Sequence, residues 1–123
     1  MKKILLVEDD PDILESLKIT LTLKGYQVST LTDGQGVCEK VRTSRPDLVV
    51  MDVMMPAVDG YQACQALKSD ERTKMVPVIL LSARTQKTEV EMGFSAGADR
   101  YLSKPFMNDD LLDTIQSLLS KKK

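Results

Sequence analysis

The sequence predicts an α/β fold in which a parallel five-stranded sheet carries helices on both faces. Three observations support that expectation. Apolar runs at Ile4–Val7, Leu48–Met51 and Val76–Leu81 are nearly unbroken, the pattern of strands buried on both faces. Between them, apolar residues recur at helical spacing. Strand-like and helix-like segments alternate five times along the chain, the order of repeated βα units.

Each element has its own signal. Ile4–Val7 is the first strand. Asp10 before Pro11 is a helix cap followed by proline at the first helical position, and Ile13, Leu14, Leu17 and Leu21 line one face of that helix. Gly25 stops it. Tyr26, Val28 and Thr30 alternate with polar residues and predict an edge strand. A helix is expected over Gln35–Thr43, with Val37, Cys38 and Val41 inward, and Arg45-Pro46 breaks it. Leu48–Met51 is the third strand. Gly60–Ser69 is a helix burying Tyr61, Cys64 and Leu67, and Asp70–Lys74 is a surface loop. Val76–Leu81 is the fourth strand. Thr85–Ala96 is the next helix, with Val90 and Phe94 inward and Gly97 as its stop. Tyr101-Leu102 is a short fifth strand. Asn108 is the expected cap of a last helix carrying Leu111, Leu112, Ile115, Leu118 and Leu119, and Lys121–Lys123 is a frayed end.

The 123 residues suffice for one domain with a core and are too few for two. At 42% apolar and 28% charged residues with a net charge of −1, the chain falls among soluble globular proteins. No basic excess points to nucleic acid, and no apolar run approaches the ~20 residues of a membrane span. Glu8 interrupts the first apolar run too early for a secretory signal, so a cytoplasmic location is expected. There is no histidine, which excludes Ser/His/Asp and Cys/His catalysis and His-ligated metals. Cys38 and Cys64 lack metal-ligand spacing and read as buried free thiols.

The polar residues collect at strand ends. Glu8 and Asp9 end the first strand, Asp52 the third and Ser82 the fourth, and Lys104 follows the fifth. Open α/β sheets bind ligands at that carboxyl edge, where the strand order reverses. In a doubly wound sheet of order 2-1-3-4-5, that crevice unites Glu8, Asp9 and Asp52, with Ser82 and Lys104 nearby. Three adjacent carboxylates require a proton or a cation, and Mg²⁺ suits hard oxygen ligands. An oxygen nucleophile, a metal, a lysine and a hydroxyl are what phosphoryl transfer to a carboxylate requires.

VEDD at residues 7–10, DVMMPxxDG at 52–60, LSA at 81–83 and YLSKPF at 101–106 together resemble the receiver domain of bacterial two-component response regulators, of the chemotaxis-regulator type. The resemblance covers the whole chain as a single receiver domain. It implies the flavodoxin-like (βα)5 fold of order 2-1-3-4-5. It implies that Asp52 accepts a phosphoryl group from a phosphohistidine on a sensor histidine kinase or phosphotransfer protein. Glu8 and Asp9 match the acidic pair. Asp9 and Asp52 would hold Mg²⁺, with Mn²⁺ as a substitute, together with the backbone carbonyl of Met54. Lys104 would pair with the phosphate, the Lys104–Pro105 bond would be cis, Ser82 would be the switch hydroxyl and Tyr101 the switch aromatic. Met54 and Arg84 occupy the positions that tune spontaneous dephosphorylation.

Blander readings stand beside these. Taken alone, Asp52 reads as a loop cap, Glu8-Asp9-Asp10 as helix caps and Tyr101 as an ordinary strand aromatic, and Met54-Met55 reads as loop packing. The whole pattern favours the phosphoacceptor. A haloacid-dehalogenase-type hydrolase would carry a second aspartate where Met54 stands. A nucleotide or flavin binder would need a glycine- or hydroxyl-rich loop in place of Glu8-Asp9-Asp10. A phosphate-independent receiver would not need the acceptor-site residues that are all present. The expected protein is a phosphoacceptor that assists its own phosphorylation and is not a turnover enzyme. Its output partner would bind the face of helix 4, strand 5 and helix 5. No direct nucleic acid or membrane contact is expected, and the protein would be a monomer or a phosphorylation-dependent dimer. The last helix lacks the basic residues usual in winged-helix relatives, so the sequence reads as a stand-alone receiver, with a receiver cut from a longer regulator as the alternative.

Overall fold

The apolar runs form the inner strands of one sheet. A computed structural model describes residues 2–54, 59–82, 87–104 and 106–121. Its elements are β1 (Lys3–Val7), α1 (Pro11–Leu23), β2 (Gln27–Leu31), α2 (Val37–Ser44), β3 (Leu48–Asp52), α3 (Gly60–Ser69), β4 (Val78–Ser82), α4 (Lys87–Ser95), β5 (Arg100–Ser103) and α5 (Asn108–Lys121). The sheet order is β2-β1-β3-β4-β5 and every pairing is parallel. This is the flavodoxin-like arrangement. Every residue of β3 and β4 is buried, whereas the edge strands β2 and β5 are only partly covered.

Strand alternation sorts the core into two layers. Leu5, Val7, Val49, Met51, Val78 and Leu80 pack with Val37, Val41, Cys64 and Leu67 from α2 and α3. Ile4, Leu6, Leu48, Val50, Ile79 and Leu81 pack with Leu17 and Leu21 of α1 and Leu111 and Ile115 of α5. Burying each such side chain stabilises the fold by roughly 1.5–3 kcal/mol, so the sheet is a rigid base for whatever its edge presents. Cys64 is fully buried, and that burial pushes its thiol up to about 11. Cys38 is only partly covered, which corrects the expectation that both thiols are buried.

Helix ends follow local chemistry. Asp10 accepts from the N–H groups of Asp12 (2.9 Å) and Ile13 (3.3 Å). Asp59 and Gln62 form a reciprocal capping box on α3. Gly25 and Gly97 leave their helices at φ +94° and +100°, a region that suits glycine.

Several details differ from expectation. α2 starts at Val37 because the Asp33 carboxylate captures the N–H of Gln35 at 2.8 Å, which holds that residue in a turn. β4 starts at Val78, since Val76 is still bonded back to Thr73 at 3.1 Å and Pro77 has no N–H to offer. Asn108 is the first residue of α5 rather than its cap; the Met107 carbonyl accepts from Asp110 and Leu111 instead. On α4, Phe94 does not face inward and is 49% exposed. Among the described side chains of α4 the buried position is Gly93, where a Cβ would meet the Tyr101 ring at 2.6 Å. The expected helix start at Thr85, the Val90 side chain and residues 122–123 lie outside the described residues.

Candidate functional site at the carboxyl edge of the sheet

The register brings the acidic residues together. Val7 pairs with Met51, so Glu8 follows β1 beside Asp52, the last residue of β3. Glu8 and Asp52 are 2% and 6% exposed, while Asp9 is exposed at the mouth. One carboxylate oxygen from each of the three lies within 4.8 Å of the others. Lys104, which follows β5, is anchored when its N–H donates to the Ser82 carbonyl at 2.7 Å. Its Nζ then reaches Glu8 Oε1 at 3.0 Å and Asp52 Oδ2 at 3.2 Å.

One ammonium cannot offset three carboxylates. Burial, and then the neighbouring Asp52, push the Glu8 carboxyl up to about 7 against the pull of Lys104. Burial works against the Lys104 ammonium, but hydrogen bonding and charge from Glu8 and Asp52 outweigh it and hold its pKa above the usual lysine range. Glu8 Oε2 is buried and receives no hydrogen bond. An orphaned oxygen among three convergent carboxylates is a hard donor set, and it fits a small divalent cation. Glu8, Asp9 and Asp52 would supply the ligands.

The backbone around Asp52 is fixed on both sides. The Val53 N–H donates to the Leu81 carbonyl at 2.9 Å, and the Gly60 N–H to the Val53 carbonyl at 2.8 Å. A Cβ on Gly60 would lie 2.6 Å from the Asp52 carbonyl oxygen. α3 can therefore begin flush against the site only with glycine there. Asp59-Gly60 is common in sequences at large, so its sequence signal was weak.

The predicted residues divide into three groups. Glu8, Asp9, Asp52 and Lys104 converge. Ser82 is buried at the end of β4, one residue beyond Leu81, the partner of Asp52. Met54 is 52% exposed, so its side chain is not packed in the loop, and its N–H points to Asp52 Oδ1 at 3.4 Å. Tyr101 is half-buried in β5, its hydroxyl 3.2 Å from that of Tyr61. Arg84 and Pro105 lie outside the described residues.

Two features escaped sequence reasoning. One is the Tyr61–Tyr101 contact. Its only trace in the sequence was Gly93, a mid-helix glycine that makes room for the Tyr101 ring. The other lies at the opposite edge of the sheet, where Asp99 accepts from Lys68 Nζ at 2.9 Å and from the Val78 N–H at 2.8 Å. Among the described residues, no helix is long and apolar enough to cross a membrane.

Comparison with known proteins agrees with this geometry. The family model for the response regulator receiver domain matches residues 4–116. The DNA-binding dual master transcriptional regulator RpaA of a Synechocystis strain is 41% identical over 98% of this chain and 50% of its own length. The response regulator MprA of Mycobacterium leprae is 42% identical over 98% of this chain and 52% of its own. The chain thus spans about half the length of the curated relatives it matches. Among solved structures, the receiver domain of the Pseudomonas aeruginosa sensor histidine kinase PA1611, with magnesium coordinated in its active-site cleft, superposes with a TM-score of 0.89. It is 32% identical, with 97% of this chain and 98% of that one covered. The chemotaxis response regulator CheY4 of Vibrio cholerae also gives 0.89 at 32% identity, covering 96% and 98%.

Proposed function

The chain belongs to the response regulator receiver domain family of two-component systems, and on that footing we propose that it is a phosphorylation-driven switch whose acceptor is Asp52. The observation that carries this reading is Lys104 held between buried Glu8 and Asp52, with the orphaned oxygen of Glu8 beside them. Such a crevice is short of positive charge and built around a nucleophilic carboxylate.

In the proposed reaction, an Asp52 carboxylate oxygen attacks the phosphorus of a phosphohistidine. The P–N bond breaks, the imidazole leaves with the electron pair, and an acyl phosphate remains on Asp52. Lys104 already contacts Asp52 Oδ2 and would follow the charge onto a phosphoryl oxygen. The Met54 N–H steadies the other carboxylate oxygen. Asp9, Asp52, Glu8 and the Met54 carbonyl would hold Mg²⁺, or Mn²⁺ in its place, which supplies charge neutralisation to the phosphoryl oxygens. Ser82 would then donate to the phosphate, and Tyr101, which packs against the α2–α3 side of the core, would leave its present position, changing the α4–β5–α5 face.

The chain would assist its own phosphorylation without turning over a substrate; Met54 stands where a hydrolase would need a second acid. The donor would be a histidine kinase or a histidine phosphotransfer protein, in the cytoplasm, and the output a protein surface docking on α4–β5–α5. Relatives named as DNA-binding regulators support nucleic acid contact through an output domain rather than through the receiver. Roles for Arg84 and Pro105 rest on the motif alone.

The test is intact mass after incubation with Mg²⁺ and acetyl phosphate, beside Asp52→Ala. One phosphoryl group gained, and lost on substitution or metal removal, is the expected result. No gain, repeated with phosphoramidate and a noncognate kinase, would leave a phosphate-independent binding module.

A further inference from the structure

We propose that Tyr61 is a positioning residue that latches Tyr101 in its resting place, and that releasing this latch is part of what phosphorylation must do. The inference deepens the switch reading and rests on it. Tyr61 is the second residue of α3 and 8% exposed, and its hydroxyl stands 3.2 Å from that of Tyr101. The Tyr101 ring lies against α4 where only a glycine fits: a Cβ on Gly93 would meet Cδ2 at 2.6 Å and Cε2 at 2.9 Å.

The other end of this chain of contacts is the acceptor itself. α3 starts at Gly60, whose Cβ position lies 2.6 Å from the Asp52 carbonyl oxygen and 2.7 Å from Val53 Cα. Its N–H is bonded to the Val53 carbonyl at 2.8 Å. The backbone of Asp52-Val53, the first turn of α3, the two tyrosines and Gly93 of α4 therefore form one continuous packed path. It is separate from the route through Ser82. Packed interiors do not deform smoothly, so a shift at Asp52 reaches Tyr101 through the start of α3. Turning Tyr101 away gives up the Tyr61 hydrogen bond, which biases the resting state by the worth of one hydrogen bond, about fivefold in the equilibrium.

Tyr61→Phe removes the hydroxyl and keeps the ring. The chain has three tyrosines, Tyr26, Tyr61 and Tyr101, so ring-labelled tyrosine gives a readable NMR spectrum. In the unphosphorylated Tyr61→Phe protein, the Tyr101 signals should move along the line joining their resting and phosphorylated positions in the unsubstituted protein. Uptake from acetyl phosphate with Mg²⁺ should quicken about fivefold, because the competent state is more populated. In a Tyr101→Phe background the bond is already gone, and Tyr61→Phe should add a clearly smaller gain. Unchanged uptake in Tyr61→Phe, an equal gain in both backgrounds, or Tyr101 signals that move off that line would overturn the latch alone. An unsubstituted protein that takes no phosphoryl group would overturn the switch reading and the latch with it.

Discussion

Gly60 and the carbonyl oxygen of Asp52 are so close that a single added carbon would stand 2.6 Å from that oxygen. The helix that follows Asp52 is seated on the Asp52 backbone itself. Gly60→Ala must push α3 away or tilt the Asp52 peptide. Overpacking of this kind costs about 1–3 kcal/mol. Urea unfolding followed by circular dichroism should show that loss, and uptake from acetyl phosphate should slow with it. Gly36, with nothing within 4 Å of its Cβ position, is the control: Gly36→Ser should be neutral or slightly stabilising, as serine suits a helix cap.

The acid–base balance of Glu8 predicts how the metal-free protein responds to pH. Its carboxyl sits at about 7 in the fold against a usual 4.5. The native state therefore binds more protons than the unfolded one between these values, and its stability falls as pH rises through that window. Above about pH 7 the loss is complete. Glu8→Gln lacks this titration, so its stability relative to the unsubstituted protein should improve as pH rises from 4.5 to 7. Saturating Mg²⁺ should narrow the gap, since a cation offsets the same charge. Denaturation at pH 5 and pH 8, with and without Mg²⁺, measures all four corners; a gap independent of pH would contradict the buried-carboxylate account.

Met54 points its side chain to solvent, 52% exposed, two residues beyond Asp52. A thioether neither donates to nor orients an attacking water, so the acyl phosphate should decay slowly. Met54→Asn places an amide there and should speed decay severalfold, by roughly 1 kcal/mol of barrier. The measurement is loss of phosphorylated mass after the donor is removed; an unchanged rate would mean that position 54 does not control the water.

Asp99 should bear on stability and not on phosphoryl uptake. It joins Lys68 of α3 to the buried N–H of Val78 at the edge of the sheet away from Asp52. Asp99→Ala leaves that N–H without its acceptor, a cost of about 1–3 kcal/mol. The unfolding midpoint should fall while the rate of phosphoryl uptake at 20 °C stays within twofold. A large drop in uptake would mean that this edge communicates with the site.

The sequence by itself determined the element order, the buried strands and the residues at their carboxyl ends. These follow from local rules: apolar runs must be buried, Asp10 caps next to Pro11, and Gly25 and Gly97 permit positive φ. Asp52 and Lys104 were legible because a charge directly after a buried strand is costly unless it serves a site. Local chemistry also misled where two signals competed: Phe94 is apolar and at helical spacing, yet smaller Gly93 takes the inward position because the Tyr101 ring already fills the space. Only the tertiary structure decided what crosses between elements. The register that sets Glu8 beside Asp52, the reach of Lys104 to both, the Tyr61–Tyr101 contact and the seat of Gly60 on Asp52 join residues from 8 to 96 positions apart. No periodicity encodes such pairs, because their distances are fixed by how helices pack on the sheet and not by the spacing of residues along the chain.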